Sequence, residues 1–305
     1  MNAAIRAVTR IAHSKNLEVI GFERGWEGLL TNTFRHLTPR NVGGIIQLGG
    51  TILHTSRCPE FKTEEGLDKA AKTLSANCLD GLVVIGGDGS FRGALELSRK
   101  TRTLIVGIPA TIDNDVYGTE ETIGFDTAVN TAVEEIDKIR DTAISHERIF
   151  IVEVMGRQRG FLAVTVGITV GAEITLIPEE ECSTENVINS IKENARKGKR
   201  AGIIVAAEGC GRVSEIAKEI EEKTGSEVRL TILGYVQRGG SPTARSRLLA
   251  SLFAEKAVEL LLENRGSLTV ALQNGLVKQE SFENACNKRK PLDQSLINLS
   301  EMLST

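Results

Sequence analysis

The sequence predicts an α/β protein built on mostly parallel sheets with helices on both faces. Short apolar runs typical of buried strands recur along the 305 residues, at 18–22, 81–85, 103–108, 148–154, 173–177, 202–206, 228–233 and 268–272. Between them, apolar residues three and four positions apart predict helices at 64–79, 90–99, 126–141, 183–197, 214–223 and 243–262. Strands that alternate with helices favour a parallel sheet, whose ligands bind at the carboxyl ends of the strands.

Composition excludes some classes of function. The chain is 41% hydrophobic and 25% charged, which describes a globular protein long enough for two packed domains. Its net charge of -3 argues against nucleic-acid binding through bulk positive charge, and its lysines and arginines form no membrane-binding tract. No run approaches the roughly 20 apolar residues that span a bilayer. We therefore expect a cytoplasmic protein with neither nucleic acid nor membrane as a partner.

The cysteines predict reduced thiols. They are odd in number and lack the CxxC spacing of many zinc sites: Cys58, Cys78, Cys182, Cys210 and Cys286. This pattern fits a reducing compartment better than a disulfide framework. We expect neither disulfides nor a structural metal.

Two loops about two dozen residues apart carry the strongest chemical signal. The first, GGDGS at 86–90, follows a predicted strand, and its glycines allow backbone N–H groups to approach a polyphosphate. The second, PATIDND at 109–115, brings Asp113 and Asp115 to the same edge of the sheet. One carboxylate there can hold Mg²⁺ while another accepts a proton from an attacking hydroxyl. Together the loops predict a phosphoryl-transfer site.

Arginines in further loops point to a ligand with more than one phosphate group. Arg57, Arg157 and Arg238 each lie in a glycine- or proline-containing loop, and arginine suits bidentate recognition of phosphate. Taken alone, the glycine loop could be an ordinary strand-to-helix turn, and Asp113 or Asp115 could be a turn or capping residue. The combination of the loops with the three arginines favours the functional interpretation.

These motifs, with others, carry a family resemblance. They occur in the order MNAAIR at 1–6, GT at 50–51, RCPEF at 57–61, GGDGS at 86–90, TIDND at 111–115, MGR at 155–157 and QRGGSP at 237–242. In this combination the chain resembles the bacterial-type phosphofructokinases, which phosphorylate fructose 6-phosphate on its 1-hydroxyl. The resemblance runs nearly from end to end.

The resemblance implies a role for each matching residue. Asp113 matches the catalytic base, and Thr111 and Arg157 match groups that stabilise the transferred phosphoryl. Asp88 and Asp115 match the positions around Mg²⁺. The residues that match the ATP site are Arg57, Cys58, Gly87, Asp88, Gly89, Ser90 and Gly93. Those that match the fructose 6-phosphate site are Thr111, Asp113, Asp115, Arg148, Met155, Gly156, Arg157, Glu208, Arg229, Tyr235 and Arg238.

The resemblance also implies a domain organisation and an assembly. It predicts two similar three-layer α/β/α sandwich domains with the active site in the cleft between them. The larger, nucleotide-binding domain would hold 1–124 and 237–287, and the smaller, sugar-phosphate-binding domain 125–236 and 288–305. The family counterparts of Arg148 and Arg229 come from a neighbouring subunit, so we expect a homo-oligomer, usually a tetramer.

A second anion site is implied for an effector such as ADP or phosphoenolpyruvate. The residues that match it are Arg6, Arg10, Arg140, Lys197 and Lys199. Pro39 stands where regulated members have an arginine, and Arg40 follows it. Without the resemblance, these basic residues would be interpreted as a solvated surface.

Small residues at two positions favour ATP as the phosphoryl donor. Pyrophosphate-using relatives carry Asp at the position of Gly89 and Lys at that of Ala110, and an acidic side chain at Gly89 would repel the α-phosphate. Tyr235 stands where many members have a histidine. A pyrophosphate-dependent enzyme is one alternative, and another GGDG-type kinase, acting on NAD or a lipid, would need neither the TIDND loop nor Arg238.

A last departure concerns the start of the chain. In the family, a strand and a Gly-Gly-Asp loop precede the segment that begins here at Met1. Loss of that loop would remove one contact to the transferring phosphoryl. Two alternatives remain open: either Met1 is an internal methionine of a longer chain, or this is a truncated, impaired or non-catalytic homologue.

Overall fold

The computed structural model describes residues 1–199 and 201–303. The helices are α1 (Asn2–Ser14), α2 (Trp26–Thr31), α3 (Glu64–Ala76), α4 (Asp88–Ser98), α5 (Phe125–His146), α6 (Phe161–Val170), α7 (Thr184–Arg196), α8 (Val213–Thr224), α9 (Ala244–Leu262), α10 (Phe282–Asn287) and α11 (Gln294–Leu303). The strands are β1 (Ile20–Phe22), β2 (Phe34–His36), β3 (Gly81–Gly86), β4 (Leu104–Pro109), β5 (Ile149–Val154), β6 (Ile174–Leu176), β7 (Gly202–Ala207), β8 (Val228–Ile232), β9 (Leu268–Gln273) and β10 (Leu276–Ser281). Short 3-10 helices lie at Pro59–Lys62, Glu208–Cys210 and Gly234–Arg238.

The chain divides into two compact units. The first holds Met1–Thr111, Asp115–Gly124 and Gly240–Lys290. The second holds Ile112–Asn114, Phe125–Gly239 and the C-terminal segment from Pro291. The chain therefore passes between the units several times.

The first unit is a sheet covered on both faces. Its strands lie in the order β10-β9-β4-β3, with β3, β4 and β9 parallel and β10 antiparallel to β9. Helices α3, α4 and α10 pack on one face, and α1 and α9 on the other. Side chains of β4 alternate accordingly, with Ile105 in the first layer and Val106 and Ile108 in the second. At Gly107, a Cβ would lie 2.7 Å from the ring of Phe282 and 2.8 Å from that of Phe91, so close ring packing there requires glycine.

The second unit repeats this plan with a fully parallel sheet. Its strands lie in the order β6-β7-β5-β8. Helices α5 and α6 cover one face, where Val152 and Val154 of β5 point, and α7 and α8 cover the other, where Ile149 and Ile151 point. The predicted fold class is confirmed, because each unit is an α/β sandwich and most strand pairs are parallel.

Some elements were not predicted from the sequence, and two of them show why. Helix α6 is apolar on every side, and most of its residues are buried, so it shows no amphipathic period. Strand β10 forms an antiparallel hairpin with β9, and its side chains are exposed or half-buried rather than the apolar run of a buried strand. The Asn274-Gly275 turn between them is the available signal for that hairpin.

The expectation that every cysteine is a free thiol was wrong. Cys182 and Cys210 form a disulfide, with their Cα atoms 6.0 Å apart. Cys182 follows β6 and Cys210 lies after β7, and these two strands are paired in one sheet. Because the pairing depends on neighbouring strands and not on spacing along the chain, no CxxC motif marks it.

None of the helices within residues 1–199 and 201–303 has the length and apolar character needed to cross a lipid bilayer.

Candidate active site

In the first unit, the turn from β3 into α4 is very short. Only Gly87 separates Gly86, the last residue of β3, from Asp88, the first of α4. Gly87 occupies the N-cap position and has no side chain to cap the helix. The first turn of α4 therefore presents backbone N–H groups and the positive end of its dipole at the carboxyl end of β3, as a phosphate site requires. The Asp88 carboxylate accepts from Arg92 Nε, at 3.1 and 3.0 Å from its two oxygens.

The glycines around this turn differ in the space they leave. A Cβ at Gly89 would meet no atom within 4 Å, and Gly89 is exposed. At Gly87 a Cβ would lie 3.2 Å from Cβ of Thr111. At Gly93 it would lie 2.9 Å from the Phe61 ring, which stacks on Trp26 with ring centroids 4.1 Å apart. Gly89 thus borders open space, while Gly87 and Gly93 pack against their neighbours.

Strand β4 delivers the second loop to the same end of this sheet. Gly86 of β3 pairs with Pro109 of β4 in the register of the two strands. Thr111 is half-buried, and its carbonyl oxygen accepts from Thr122 Oγ1 at 2.6 Å. Asp115 is also half-buried. The structure thus brings the Gly87 and Thr111 loops together, as the sequence predicted for strands of one parallel sheet.

The remaining predicted nucleotide residues lie in or near a different loop. Arg57 is exposed and Cys58 is half-buried directly before the 3-10 helix Pro59–Lys62. Cys58 packs against the core layer that α3 and α4 form. Ser90, in the first turn of α4, is half-buried. Cys58 therefore has a packing role in this structure, whereas the Arg57 guanidinium is open to solvent.

In the second unit, Asp113 is buried and paired with an exposed arginine. The Asp113 side chain is 7% exposed, and its Oδ2 lies 3.2 Å from Arg157 Nε. The Arg157 side chain is 62% exposed. The pair places a carboxylate oxygen, which can accept a proton, beside a cation that can stabilise developing negative charge.

Side chains from distant elements hold the loop after β5, which carries Met155, Gly156 and Arg157. Glu208 Oε1 accepts from the backbone N–H of Gly156 at 3.2 Å and from that of Arg157 at 2.5 Å. Gln237 Oε1 accepts from the backbone N–H of Met155 at 2.9 Å. The structure therefore uses Glu208, a predicted sugar contact, to fix the backbone beside Arg157.

The other predicted sugar-phosphate residues lie at and after β8. Glu227 Oε2 accepts from Arg148 Nε at 2.6 Å, and Glu227 also pairs with Arg229. The hydrogen bond from Arg148 lowers the pKa of the Glu227 carboxyl below its ordinary value. Arg238 lies over the Tyr235 ring, with its Cζ 5.0 Å from the ring centroid. Arg148 and Arg229 are thus brought together around one carboxylate.

The predicted effector residues lie on several elements of the two units. Arg140 and Lys199 line a surface pocket of about 330 Å³ in the second unit, and Lys199 Nζ lies 3.1 Å from Glu173 Oε1. Lys197 does not line this pocket; its Nζ pairs with Glu193 at 3.1 Å. Arg6 and Arg10 lie on α1 of the first unit.

The donor groups fit Mg²⁺ held partly by a phosphate ligand. Within residues 1–199 and 201–303, no group of three or more His, Cys, Asp or Glu side chains could form a metal cage. Mg²⁺ in phosphoryl-transfer sites needs only one or two carboxylates together with phosphate oxygens and water. Asp88 and Asp115, both incompletely buried, meet that requirement in the first unit.

Sequence reasoning missed three polar residues beside the predicted ones. Glu227 and Gln237 contact predicted site residues, but Glu227 lies in no motif, and Gln237 opens the QRGGSP motif without a role having been assigned to it. Glu153, on β5, is half-buried, and its pKa is raised, first by burial and second by the nearby charge of Glu208. For Gln237, the available signal was its position directly before Arg238, a predicted site residue. Glu227 and Glu153 offered no comparable signal.

Comparison with known proteins identifies the family of this chain. The sequence profile described as "Phosphofructokinase" matches residues 1–261. The chain belongs to the phosphofructokinase family. It is 51% identical over 304 residues to the ATP-dependent 6-phosphofructokinase of Lysinibacillus sphaericus and 49% identical to that of Clostridium botulinum strain Hall. Each alignment covers 100% of this chain and 95% of the relative.

Solved structures of phosphofructokinases share the fold. The chain matches a phosphofructokinase of Saccharomyces cerevisiae with a TM-score of 0.87 and 30% identity, over 100% of this chain and 45% of the yeast one. It also matches a pyrophosphate-dependent phosphofructokinase of Marinobacter aquaeolei with a TM-score of 0.85 and 19% identity, over 99% of this chain and 87% of that one. At 19% identity, the match to the Marinobacter aquaeolei protein shows a shared fold and carries no information about the phosphoryl donor.

Proposed function

We propose that this chain is an ATP-dependent 6-phosphofructokinase, which transfers the γ-phosphoryl group of ATP to the 1-hydroxyl of fructose 6-phosphate. The Asp113–Arg157 pair carries the proposal, because it joins a buried carboxylate to an exposed cation in a member of this family. The products are fructose 1,6-bisphosphate and ADP, which makes the enzyme a glycolytic phosphotransferase.

Catalysis rests on positioning and electrostatics. Asp113 accepts the proton of the 1-hydroxyl while that oxygen attacks the γ-phosphorus, and the bond between this phosphorus and the β,γ-bridging oxygen breaks. Arg157 and Thr111 stabilise the charge on the transferring phosphoryl, and Arg57 contacts the ATP phosphates. A positioned base of this kind contributes roughly 10²- to 10⁴-fold to the rate.

Asp88 and Asp115 would hold Mg²⁺, which when bound neutralises the charge of the phosphates. The N–H groups at the start of α4 would contact the nucleotide phosphates together with Gly87, Gly89 and Ser90. The first unit is thus the nucleotide-binding one. In the second unit, the guanidinium groups of Arg148, Arg229 and Arg238 would bind the 6-phosphate, and Met155 and Glu208 would contact the sugar.

The open space at Gly89 supports ATP, and not pyrophosphate, as the donor. A Cβ added at Gly89 would have no atom within 4 Å, so this glycine leaves room for the α-phosphate of a nucleotide. An acidic side chain there would repel that group. Ala110 is likewise small.

Assembly, regulation and location complete the proposal. The enzyme would be a cytoplasmic homo-oligomer, a tetramer, in which Arg148 and Arg229 serve a neighbouring subunit; the partly exposed side chains of both residues support this. The pocket lined by Arg140 and Lys199 would bind an anionic effector such as ADP or phosphoenolpyruvate. Its volume and the side chains of Arg140 and Lys199 support this, although Glu147 and Glu173 also line the pocket and Lys199 would have to exchange its pairing with Glu173 for the effector.

The decisive experiment measures formation of fructose 1,6-bisphosphate by the purified 305-residue chain from fructose 6-phosphate and Mg-ATP. We expect robust turnover with ATP and little with pyrophosphate. Turnover with pyrophosphate alone would indicate the other donor class. Binding of both substrates without turnover would indicate a non-catalytic homologue.

A further inference from the structure

Three successive backbone N–H groups after β5 donate to side chains and not to other backbone. The N–H of Met155 donates to Gln237, and those of Gly156 and Arg157 donate to Glu208. Gly156 has a φ of 135° and Arg157 a φ of 54°, so the loop follows neither helix nor strand geometry. The shape of the loop therefore depends on two side-chain oxygens that lie 51 to 82 residues away along the chain.

Gln237 is the more buried of these two anchors. Its exposure is 1%, although its neighbours Val236 and Arg238 in the 3-10 helix Gly234–Arg238 are both exposed. A backbone N–H can only donate, so the side-chain oxygen of Gln237 must face Met155, and its Nε2 must face away. Within the described residues, Nε2 has no hydrogen-bond partner. The contact to Met155 is thus the interaction that fixes the amide.

The hydrogen bond from Met155 to Gln237 joins two segments that have different proposed roles in substrate binding. On one side lies the loop with Met155 and Arg157, and the Arg157 guanidinium contacts Asp113. On the other lies the 3-10 helix with Tyr235 and Arg238. The bond is buried, and loss of an acceptor would leave the N–H of Met155 unpaired in a site that excludes water.

We infer that Gln237 is a positioning residue for fructose 6-phosphate: its side-chain oxygen sets the distance between the sugar-contacting loop after β5 and the phosphate-binding segment around Arg238. The inference rests on the proposed function. Gln237 touches no reacting atom and acts through Met155 and through its sequence neighbour Arg238.

The inference predicts a selective defect. Misplacement of the two segments weakens binding of the sugar phosphate and shifts Arg157 relative to Asp113, so KM for fructose 6-phosphate rises and kcat falls. The nucleotide residues lie in the first unit and are not held by Gln237. KM for ATP should therefore stay unchanged.

Three variants of the full chain test this. Gln237→Met keeps the length and approximate volume of the side chain but removes the acceptor. Gln237→Glu keeps an oxygen that accepts from the N–H of Met155, and burial favours the neutral carboxyl, which is nearly isosteric with the amide. Gln158→Met is the matched control, because Gln158 lies in the same loop but is exposed. For each variant, both KM values, kcat and the melting temperature are measured.

We expect Gln237→Met to raise KM for fructose 6-phosphate about tenfold and to lower kcat several-fold, as the loss of one buried hydrogen bond implies. Gln237→Glu should stay within about threefold of wild type, and Gln158→Met should equal wild type. If Gln237→Met has wild-type constants, the inference is wrong. Two other outcomes would show a merely structural role. In the first, Gln237→Met raises KM for fructose 6-phosphate and KM for ATP equally and lowers the melting temperature. In the second, Gln237→Met and Gln237→Glu have equal defects.

The same experiment separates the inference from the proposed function. A wild-type chain that forms no fructose 1,6-bisphosphate contradicts the function itself. A wild-type chain that turns over normally beside an unaffected Gln237→Met variant contradicts only the role of Gln237. Should Gln237→Met fail to fold, Gln237→Glu still tests the inference, because a tenfold rise in its KM for fructose 6-phosphate would overturn it.

Discussion

Two strand-to-helix turns, one in each unit, differ in what holds their backbone. Between β3 and α4 a single residue, Gly87, makes the turn, and no side chain caps the helix. Between β5 and α6 lie residues 155–160, where the backbone N–H groups of Met155, Gly156, Arg157 and Gly160 donate to side chains of Gln237, Glu208 and Glu179. No side chain occupies the N–H groups at the start of the first helix, whereas side chains of the protein occupy several N–H groups of the second turn.

This difference fits two kinds of ligand recognition. A nucleotide carries several phosphates in a row, and a helix N-terminus with glycines offers them many N–H groups at close range. A sugar phosphate needs a few well-placed charged side chains, and those are precise only if the backbone beneath them is fixed. Under the proposed function, a rigid second turn would aim Arg157, and a small, open first turn would admit the nucleotide phosphates.

The largest expected effect comes from the pair in the second unit. Asp113→Ser removes the proposed base and should lower kcat by about 10²- to 10⁴-fold while substrate binding changes far less. Steady-state kinetics with both substrates, together with a melting curve to confirm folding, measures this. Near-normal turnover would remove Asp113 from the mechanism, and with it the catalytic role assigned to the rigid turn.

A second prediction tests the openness of the first turn. Gly89→Asp should lower kcat/KM for ATP by about 10- to 100-fold, because its charge would lie beside the nucleotide phosphates. Gly89→Ala is the matched control and should be nearly neutral, since a Cβ there meets no atom within 4 Å.

Titration of Mg-ATP at saturating fructose 6-phosphate gives kcat/KM for ATP for Gly89→Asp and Gly89→Ala. A wild-type kcat/KM in Gly89→Asp would mean that the nucleotide does not approach this turn. An equal loss in Gly89→Ala would point instead to a backbone effect.

A smaller effect is expected at the carboxylate shared by Arg148 and Arg229. Glu227→Gln removes a negative charge that competes with the 6-phosphate for the two guanidinium groups, so KM for fructose 6-phosphate should fall about two- to fivefold. KM for ATP serves as the internal control. A rise in KM for fructose 6-phosphate would show instead that Glu227 orients the arginines for their ligand.

The smallest effect concerns the buried thiol behind the first turn. Burial, and next the charge of Asp88, raise the pKa of Cys286 to about 11 from an ordinary value of 9.0. Because the folded state binds this proton more tightly than the unfolded state, the contribution to stability is complete below about pH 9 and is lost as the pH rises toward 11.

Melting curves of the wild type and Cys286→Ala between pH 7 and pH 10.5 check this expectation. The difference in melting temperature between them should narrow by about 1–3 °C over the alkaline range. Parallel curves would mean that the thiol is not held in its neutral form.

The sequence predicted much of the fold because the relevant signals are local. Strand β4 shows as an apolar run. Helix α9 shows apolar spacing that begins after its N-cap, Thr243, whose Oγ1 accepts from the N–H of Ser246 at 3.3 Å. Helix α6 was missed because its almost uniformly apolar composition removes the period on which a prediction depends. The predictable elements were therefore those with a local signature: an apolar run for a buried strand such as β4, or apolar spacing with an N-cap for a helix such as α9.

The sequence by itself determined which loops carry the chemistry. Glycine, aspartate and arginine directly after apolar runs are visible without any long-range contact, which is why Asp88, Asp113 and Arg157 could be named as candidates. Only the tertiary structure decided how those side chains are held. The bond from Met155 to Gln237, the Cys182–Cys210 disulfide and the Glu227 carboxylate between two arginines all join elements that are distant along the chain or meet only at paired strands. No local pattern encodes such contacts, because they exist only once the strands have paired.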